Sequence, residues 1–312
     1  MLKIGLIGIG GIAQKAYLPY MRQLSHIEWH IFTRNKAVRN RVSTLFGHAT
    51  THDTLDDLLA ASLDGVFIHA ATKAHFDLAS PFLRRGIPVY MDKPITEDFD
   101  TTQKLYQLAQ EHNTFLMAGF NRRFAPRVLE MANLDNKRRI IVEKNDINRT
   151  GELQFKLFDF FIHPLDTALY LMDDNINSVH FKRINENNQL SQVSVILESD
   201  QSVAIVGMNL QSGSRREVME VQTPTATYHL ENLDDLSIYK DTDCLKKAFS
   251  SWDTTLYKRG FESIIDSFLT AIQTQQNPVS PQSSLLSHWI CHQINQAKQL
   301  SATLDLEDFY GK

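Results

Sequence analysis

The hexapeptide Gly8-Ile9-Gly10-Gly11-Ile12-Ala13 follows an apolar run at residues 3–7 and leads into a helical pattern. Glycines at such a junction leave backbone N–H groups unshielded at a helix N-terminus, which is what the pyrophosphate of a dinucleotide requires. Gly8 makes the tight turn, Gly10 lets the backbone approach a phosphate, and Ala13 stands in for a third glycine where helix meets strand. Gly8, Gly10, Gly11, Ile12 and Ala13 are the expected cradle. The next apolar run ends Phe32-Thr33-Arg34-Asn35, with no carboxylate at its tip. A ribose 2′-hydroxyl is read there by an acid, whereas a 2′-phosphate needs donors and positive charge. Arg34 can lie over an adenine and pair with the 2′-phosphate, and Thr33 can donate to it. Glu28 begins that run and so points away from the tip. NADP is expected in preference to NAD.

Two other places could move protons. Asp92-Lys93-Pro94 closes an apolar run at residues 88–91. A lysine held over a cofactor there can donate to a carbinol or carbonyl oxygen, once burial and nearby cations lower its pKa from about 10.4 toward about 7–8. Asp159 and His163 are four residues apart and share a face if the segment is helical. A carboxylate beside an imidazole fixes its tautomer and raises its basicity, as a general base requires. A surface i,i+4 pair, or a stretch of plain core, has the same spacing. Spacing does not decide whether Lys93 or His163 is the main acid/base.

These residues need a scaffold. Strand-like runs at 3–7, 28–32, 65–69, 88–91 and 114–118 alternate with helical patterns at 17–23, 55–60, 74–85 and 101–112. That alternation predicts βαβ units, hence an α/β Rossmann-type doubly wound parallel sheet over residues 1–119. From about residue 120 the texture changes. Runs at 191–198, 202–209, 217–222, 225–230 and 237–239 predict an α+β domain over 120–312 with an antiparallel or mixed sheet, closed by helices at 256–273 and 282–300.

Of the 312 residues 43% are apolar, so disorder is excluded, and the net charge of −4 recruits neither nucleic acid nor an acidic membrane. The basic runs Arg122-Arg123 and Lys137-Arg138-Arg139 read as solvated faces. Cys244 and Cys291 lack the spacing of a disulfide framework or a metal site and read as reduced core thiols. With no apolar stretch of about 20 residues and a strand-like run opening at Lys3, a soluble cytoplasmic protein is expected.

The glycine turn, Thr72-x-x-His75, Asp92-Lys93-Pro94, Gly119-Phe120-Asn121-Arg122-Arg123-Phe124-Ala125-Pro126, Asp159-x-x-x-His163-x-x-Asp166 and Arg259-Gly260-Phe261 occur in that order. Together they resemble the glucose–fructose oxidoreductase/inositol dehydrogenase/MocA (Gfo/Idh/MocA) family, most of all its MviM-like branch, over nearly the whole chain. The resemblance implies a Rossmann domain followed by a domain with a large, mostly antiparallel open sheet, assembled as a homodimer or higher homo-oligomer. It implies an NAD(P)-dependent dehydrogenase or reductase acting on a hydroxyl or carbonyl of a sugar, polyol or related small molecule. The family's Glu-Lys-Pro lysine falls on Lys93 and its helical acid and histidine on Asp159 and His163, which make the implied catalytic group and touch substrate. Thr72, His75, Lys93 and Asn121 fall at the cofactor, and Arg122 and Lys144 at the substrate; His75 fits a capping or core role as well.

Departures from that pattern are Asp92 for the usual glutamate, Phe161 for a small glycine, and Pro164 directly after His163, where an interior proline costs about 3 kcal/mol. Two further functions fit the same residues: glycoside cleavage by transient oxidation with a tightly held NAD, and a dinucleotide-sensing regulator without turnover.

Overall fold

The computed structural model describes residues 1–47 and 49–311. The chain divides into two compact units, Met1–Gly119 with Phe261–Leu285, and Phe120–Gly260 with Leu286–Lys312. In the first unit β1 (Leu2–Ile7), β2 (Ile27–Phe32), β3 (Thr50–His52), β4 (Gly65–Ile68), β5 (Val89–Asp92) and β6 (Leu116–Gly119) form one sheet. Its order is β3-β2-β1-β4-β5-β6, and every pairing is parallel. Such a sheet is covered on both faces and its central strands run apolar without alternation: Leu6, Ile7, Val66, Phe67 and Ile68 are buried. The order reverses between β1 and β4, where open α/β sheets bind ligands.

Two elements escape the sequence pattern. β3 is three polar residues long, and the helix Lys36–Phe46 buries only Arg39 and Val42, so neither has an apolar signature. The helix Phe261–Thr274, expected in the second domain, belongs to the first unit. It turns Ile264, Ile265, Phe268 and Ile272 inward, with Phe268 edge-on to Phe67 at 4.7 Å and Ile272 filling the space that a side chain at Gly65 would need.

The second unit holds β7 (Arg139–Lys144), β8 (Ser178–Glu186), β9 (Gln189–Glu198), β10 (Val203–Asn209), β11 (Glu217–Gln222), β12 (Thr227–Glu231), β13 (Asp235–Lys240), β14 (Asp243–Lys247) and β15 (Ser301–Leu304). They make one sheet in the order β14-β13-β12-β11-β7-β10-β9-β8-β15, antiparallel except for β7 with β10. One face is dry: along β9, Val193, Val195 and Leu197 point inward while Ser194, Ile196 and Glu198 point out. The helix Ile162–Leu171 packs on β7 and β10.

Each unit contains a π-helical turn, Ala13–Tyr17 in the first and Lys156–Phe161 in the second, and a proline follows each within three residues, Pro19 and Pro164. The backbone N–H groups of Leu18 and Ile162 reach five residues back, to the carbonyls of Ala13 and Leu157. Pro164 thus lies inside one continuous helical run from Leu153 to Leu171, directly beyond the π turn, whose shifted hydrogen bonding accommodates the missing donor. Cys291 is buried as expected; Cys244, on β14, is exposed and so is not a core thiol. No helix among the described residues is long and apolar enough to cross a membrane.

Candidate functional site

In the first unit the C-terminal ends of β1, β2 and β4 surround a cavity of about 510 Å³. Gly8 and Gly10 line it together with Thr33, Arg34 and Lys73, and Ile7, Phe32, Leu55 and Leu78 supply apolar wall. Gly8 has φ +83°, and a Cβ there would lie 2.6 Å from the Ala70 nitrogen. Beside Gly10 a Cβ would meet only the His69 carbonyl oxygen at 3.8 Å, and beside Gly11 nothing within 4 Å. The backbone is thus pinned at Gly8 and open to a ligand at Gly10 and Gly11, which fits a dinucleotide diphosphate. Ile12 is half exposed and Ala13 fully buried, the latter as a helix–strand contact requires.

At the β2 tip, Asn35 is occupied in capping the following helix, its Oδ1 accepting from Val38 N at 3.1 Å. Glu28 lies at the other end of the strand, 3.0 Å from His30 Nε2. Thr33 and Arg34 remain at the cavity, joined by Lys73, a cation the sequence pattern did not single out because it stands alone in a short 3-10 turn, Thr72–Ala74.

Lys93 follows β5 at a cis bond to Pro94. His75 is buried and turns Nδ1 to the carbonyl oxygens of Pro94 (3.1 Å) and Ile95 (3.0 Å), and Nε2 to that of Ala70 (3.0 Å). It straps the segment after Lys93 to the loop after β4, a scaffold role. Asp92 lies 3.0 Å from His69 Nδ1, the Tyr17 ring packs tilted against that of His69 at 4.0 Å between centroids, and the Tyr17 and Tyr90 hydroxyls meet at 2.8 Å. Burial alone would raise the Asp92 carboxyl; the charge and hydrogen bond of His69 and a hydrogen bond from Tyr17 hold it below the usual range. Burial and the nearby Asp92 push both tyrosines up. His69 was hidden in sequence as the last residue of an apolar run.

In the second unit the 3-10 turn Asn121–Phe124 carries two arginines that are buried, not solvated. Arg123 pairs with Asp166 through Nε (2.8 Å) and Nη2 (2.5 Å). Asp166 is pushed up by burial, against the pull of Arg123. Arg122 makes a two-pronged pair with Glu217 through Nε and through Nη2 (2.9 Å), and its Nη1 donates to His163 Nδ1 at 2.7 Å. A guanidinium has only donors, so Nδ1 accepts and the neutral ring carries its proton on Nε2. Arg122 thus fixes the tautomer from the Nδ1 side. Asp159 itself sits half-buried in the π turn. Burial would raise Glu217, but Arg122 outweighs it and holds that carboxyl below the usual glutamate range. Lys137 is likewise buried and paired, with Asp173 at 2.6 Å.

Asn121 donates from Nδ2 to the Arg259 carbonyl at 2.8 Å, and Gly260, at φ +78°, packs so closely that a Cβ would lie 2.5 Å from Ala125 N. This seats Arg259 beside Glu217, with Nη2 to Oε2 at 3.9 Å. Phe161, which stands where the family has a small glycine, is fully buried in the core, and it is Phe160 that lines a cavity of about 300 Å³ with Lys144, Glu217 and Arg259. Lys93 belongs to the first unit, whereas Asp159, His163, Asn121, Arg122 and Lys144 belong to the second.

A parallel sheet in this order, with a positive-φ glycine beneath an open cradle at the switch point, defines a Rossmann dinucleotide-binding domain, here joined to an open-sheet domain. Residues 2–120 match the family described as "Oxidoreductase family, NAD-binding Rossmann fold", and residues 129–241 match "YceM-like, C-terminal domain". YceM of Salmonella typhimurium is 31% identical over 286 residues, covering 89% of this chain and 91% of YceM. The inositol 2-dehydrogenase of Rhizobium meliloti is 27% identical over 243 residues, 69% of this chain and 72% of that protein. The crystal structure of a Gfo/Idh/MocA family oxidoreductase from Vibrio cholerae superposes with a TM-score of 0.89 at 31% identity, covering 95% of this chain and 99% of the other. The chain belongs to the Gfo/Idh/MocA family of oxidoreductases.

Proposed function

We propose that this chain is an NADP-preferring dehydrogenase or reductase that interconverts a hydroxyl and a carbonyl on a sugar, polyol or related small molecule. The observation that carries the reading is the cavity at the β1/β4 switch point, where open glycine backbone and the side chains of Thr33, Arg34 and Lys73 share one wall. Arg34 and Thr33, at a β2 tip that ends without a carboxylate, suit a 2′-phosphate, with Lys73 and Asp77 also lining the cavity, and a dehydrogenase of inositol among the relatives suits a polyol substrate.

A bound nicotinamide supplies the hydride donor or acceptor. Lys93, on the carboxyl edge of the sheet, exchanges the proton at the substrate oxygen. His163 is poorly placed to be the base, because Arg122 occupies Nδ1 and the proton already stands on Nε2. Its Nε2–H is instead a donor that the second unit offers to a substrate hydroxyl or carbonyl. His75 holds the segment after Lys93, and Asp92, kept ionised by His69 and Tyr17, places a negative charge beside it.

Turnover of a sugar and polyol panel, followed by nicotinamide absorbance, tests this. Lys93→Ala is expected to lose roughly 10²–10⁴-fold in turnover with NADPH affinity nearly unchanged. Undiminished turnover in that variant removes Lys93 from the role.

A further inference from the structure

The cavity of about 300 Å³ in the second unit is electropositive although the chain as a whole carries −4. Its wall holds the cations Lys144, Arg215, Arg216 and Arg259 against the anions Asp146 and Glu217. Both anions have partners besides: Glu217 is gripped by Arg122 through both oxygens, and Asp146 takes Arg215 at 2.9 Å and Arg149 at 3.4 Å. Arg216 is tied to Glu231 by two bonds of 2.8 Å.

More positive charge converges on Phe160. Lys156 Nζ lies 4.2 Å from its ring centroid, Lys144 Nζ 5.5 Å and the Arg149 guanidinium carbon 5.9 Å. Lys156 is only 6% exposed, and Gly151 has no side chain where the lysine stem passes. Burial and then Arg149 depress the Lys156 pKa, against the pull of Asp146 and Asp159. A ring face tolerates such cations but does not neutralise them.

Arg259 is half-buried in this arrangement. Its guanidinium stands 3.9 Å from Glu217, at ion-pair range but beyond hydrogen-bond length, and both oxygens of that carboxylate already accept from Arg122. Burial and then the neighbouring Arg122 lower the Arg259 pKa, against the pull of Glu217. A planar fork of N–H donors at a cavity with surplus positive potential matches a carboxylate or a phosphate. A neutral polyol would leave that surplus uncompensated.

We propose that this cavity receives an oxyanion of the substrate, a carboxylate or a phosphate ester, with Arg259 as its main partner and Lys144 beside it. The assignment rests on reading the second unit as the substrate domain and narrows the substrate to acidic sugars or polyols and their phosphates.

Calorimetric titration of the full chain with D-glucose 6-phosphate, D-gluconate and D-glucose, alongside NADPH, tests it. At least one charged probe is expected to bind about tenfold or more tighter than glucose, the gap closing in Arg259→Gln while NADPH affinity holds. Which charged probe wins distinguishes phosphate from carboxylate. Lys144→Met is the second variant, expected to narrow the gap even if Arg259→Gln does not fold. Glucose binding as tightly as both charged probes, neither charged probe binding, or an undiminished gap in the folded variants overturns the proposal. Failure of NADPH to bind while a charged probe does would instead remove the oxidoreductase reading and leave an anion site standing.

Discussion

Arg122 joins Glu217 to His163: two of its donors close on the carboxylate and the third reaches the imidazole Nδ1 at 2.7 Å. The pair with Glu217 is buried, with the two side chains 6% and 8% exposed. The histidine is therefore held as an Nε2–H donor by a charge that cannot be removed near neutral pH.

Replacing Arg122 separates the two jobs. Arg122→Met strands a buried carboxylate and is expected to cost about 3–5 kcal/mol in denaturant unfolding. Arg122→Lys keeps a cation for Glu217 but cannot also present the flat fork that reaches His163. It is expected to recover much of the stability while turnover stays low, and the pH–rate profile to gain a new acidic limb as the freed Nδ1 takes a proton. An unaltered profile in Arg122→Lys would show that the arginine does not set the state of His163.

Acid stability follows from Glu217. Burial would raise its carboxyl, yet Arg122, with help from Lys144 and Arg259, holds it below the usual glutamate value. A carboxyl that titrates lower in the native state than in the unfolded one stabilises the fold above the unfolded pKa of about 4.3, and that contribution is lost as pH falls toward the native value. Unfolding free energy measured down through that window should fall more steeply for the wild type than for Glu217→Gln, which starts lower at neutral pH. Parallel curves would contradict the pairing.

On the proposed reading, cofactor choice turns on Arg34. It lines the first unit's cavity with Thr33, Lys73 and Asp77, and the acids nearest to it in sequence are engaged elsewhere: Glu28 with His30, Asp53 with Arg39. A charged hydrogen bond of about 1.5–3 kcal/mol corresponds to roughly 10–100-fold in affinity. Arg34→Ala should therefore weaken NADPH binding by about that factor and NADH binding hardly at all, as read by fluorescence titration. Equal loss for both coenzymes would place Arg34 on the adenine or diphosphate instead.

The dinucleotide half of the molecule was legible because its signals are local. Gly8 sits between an apolar run and a helix, and the central strands carry their burial as unbroken apolar stretches. The second site was legible only in part. Arg122 and Arg123 look like a solvated basic pair until the fold brings Glu217, 95 residues away, and Asp166, 43 away, against them. No spacing rule connects positions so distant; only the sheet register that starts β11 at Glu217 does. His163 and Pro164 misled in the other direction. The proline reads as a helix breaker, and the π turn that absorbs it has no sequence mark beyond the same proline-after-turn arrangement at Pro19. Arg259 was visible as part of a motif, but its role needed Asn121 and Gly260 to seat it.

The rigidity of the cradle can be separated from the general strain of a left-handed residue by comparing two glycines. Gly8 and Gly47 both have positive φ, +83° and +73°. An added Cβ at Gly47 meets nothing within 4 Å, whereas at Gly8 it lies 2.6 Å from Ala70 N and 2.8 Å from the His69 carbonyl carbon, backbone atoms that cannot rotate away. Gly8 N also donates to the Phe32 carbonyl at 3.2 Å, so the ends of β1, β2 and β4 are fixed against one another at this residue. Gly47→Ala should cost only its backbone penalty, which exceeds the ~1–2 kcal/mol of a left-handed helical residue because its ψ of −50° lies outside that region, and leave NADPH binding intact. Gly8→Ala bears a positive-φ penalty too and must also push the β4 exit outward. It should lower the melting temperature further and weaken NADPH by well over tenfold, because the moved backbone no longer presents its N–H groups to the diphosphate. Equal effects from the two substitutions would mean that the strand ends yield, and that the cradle is shaped by its ligand.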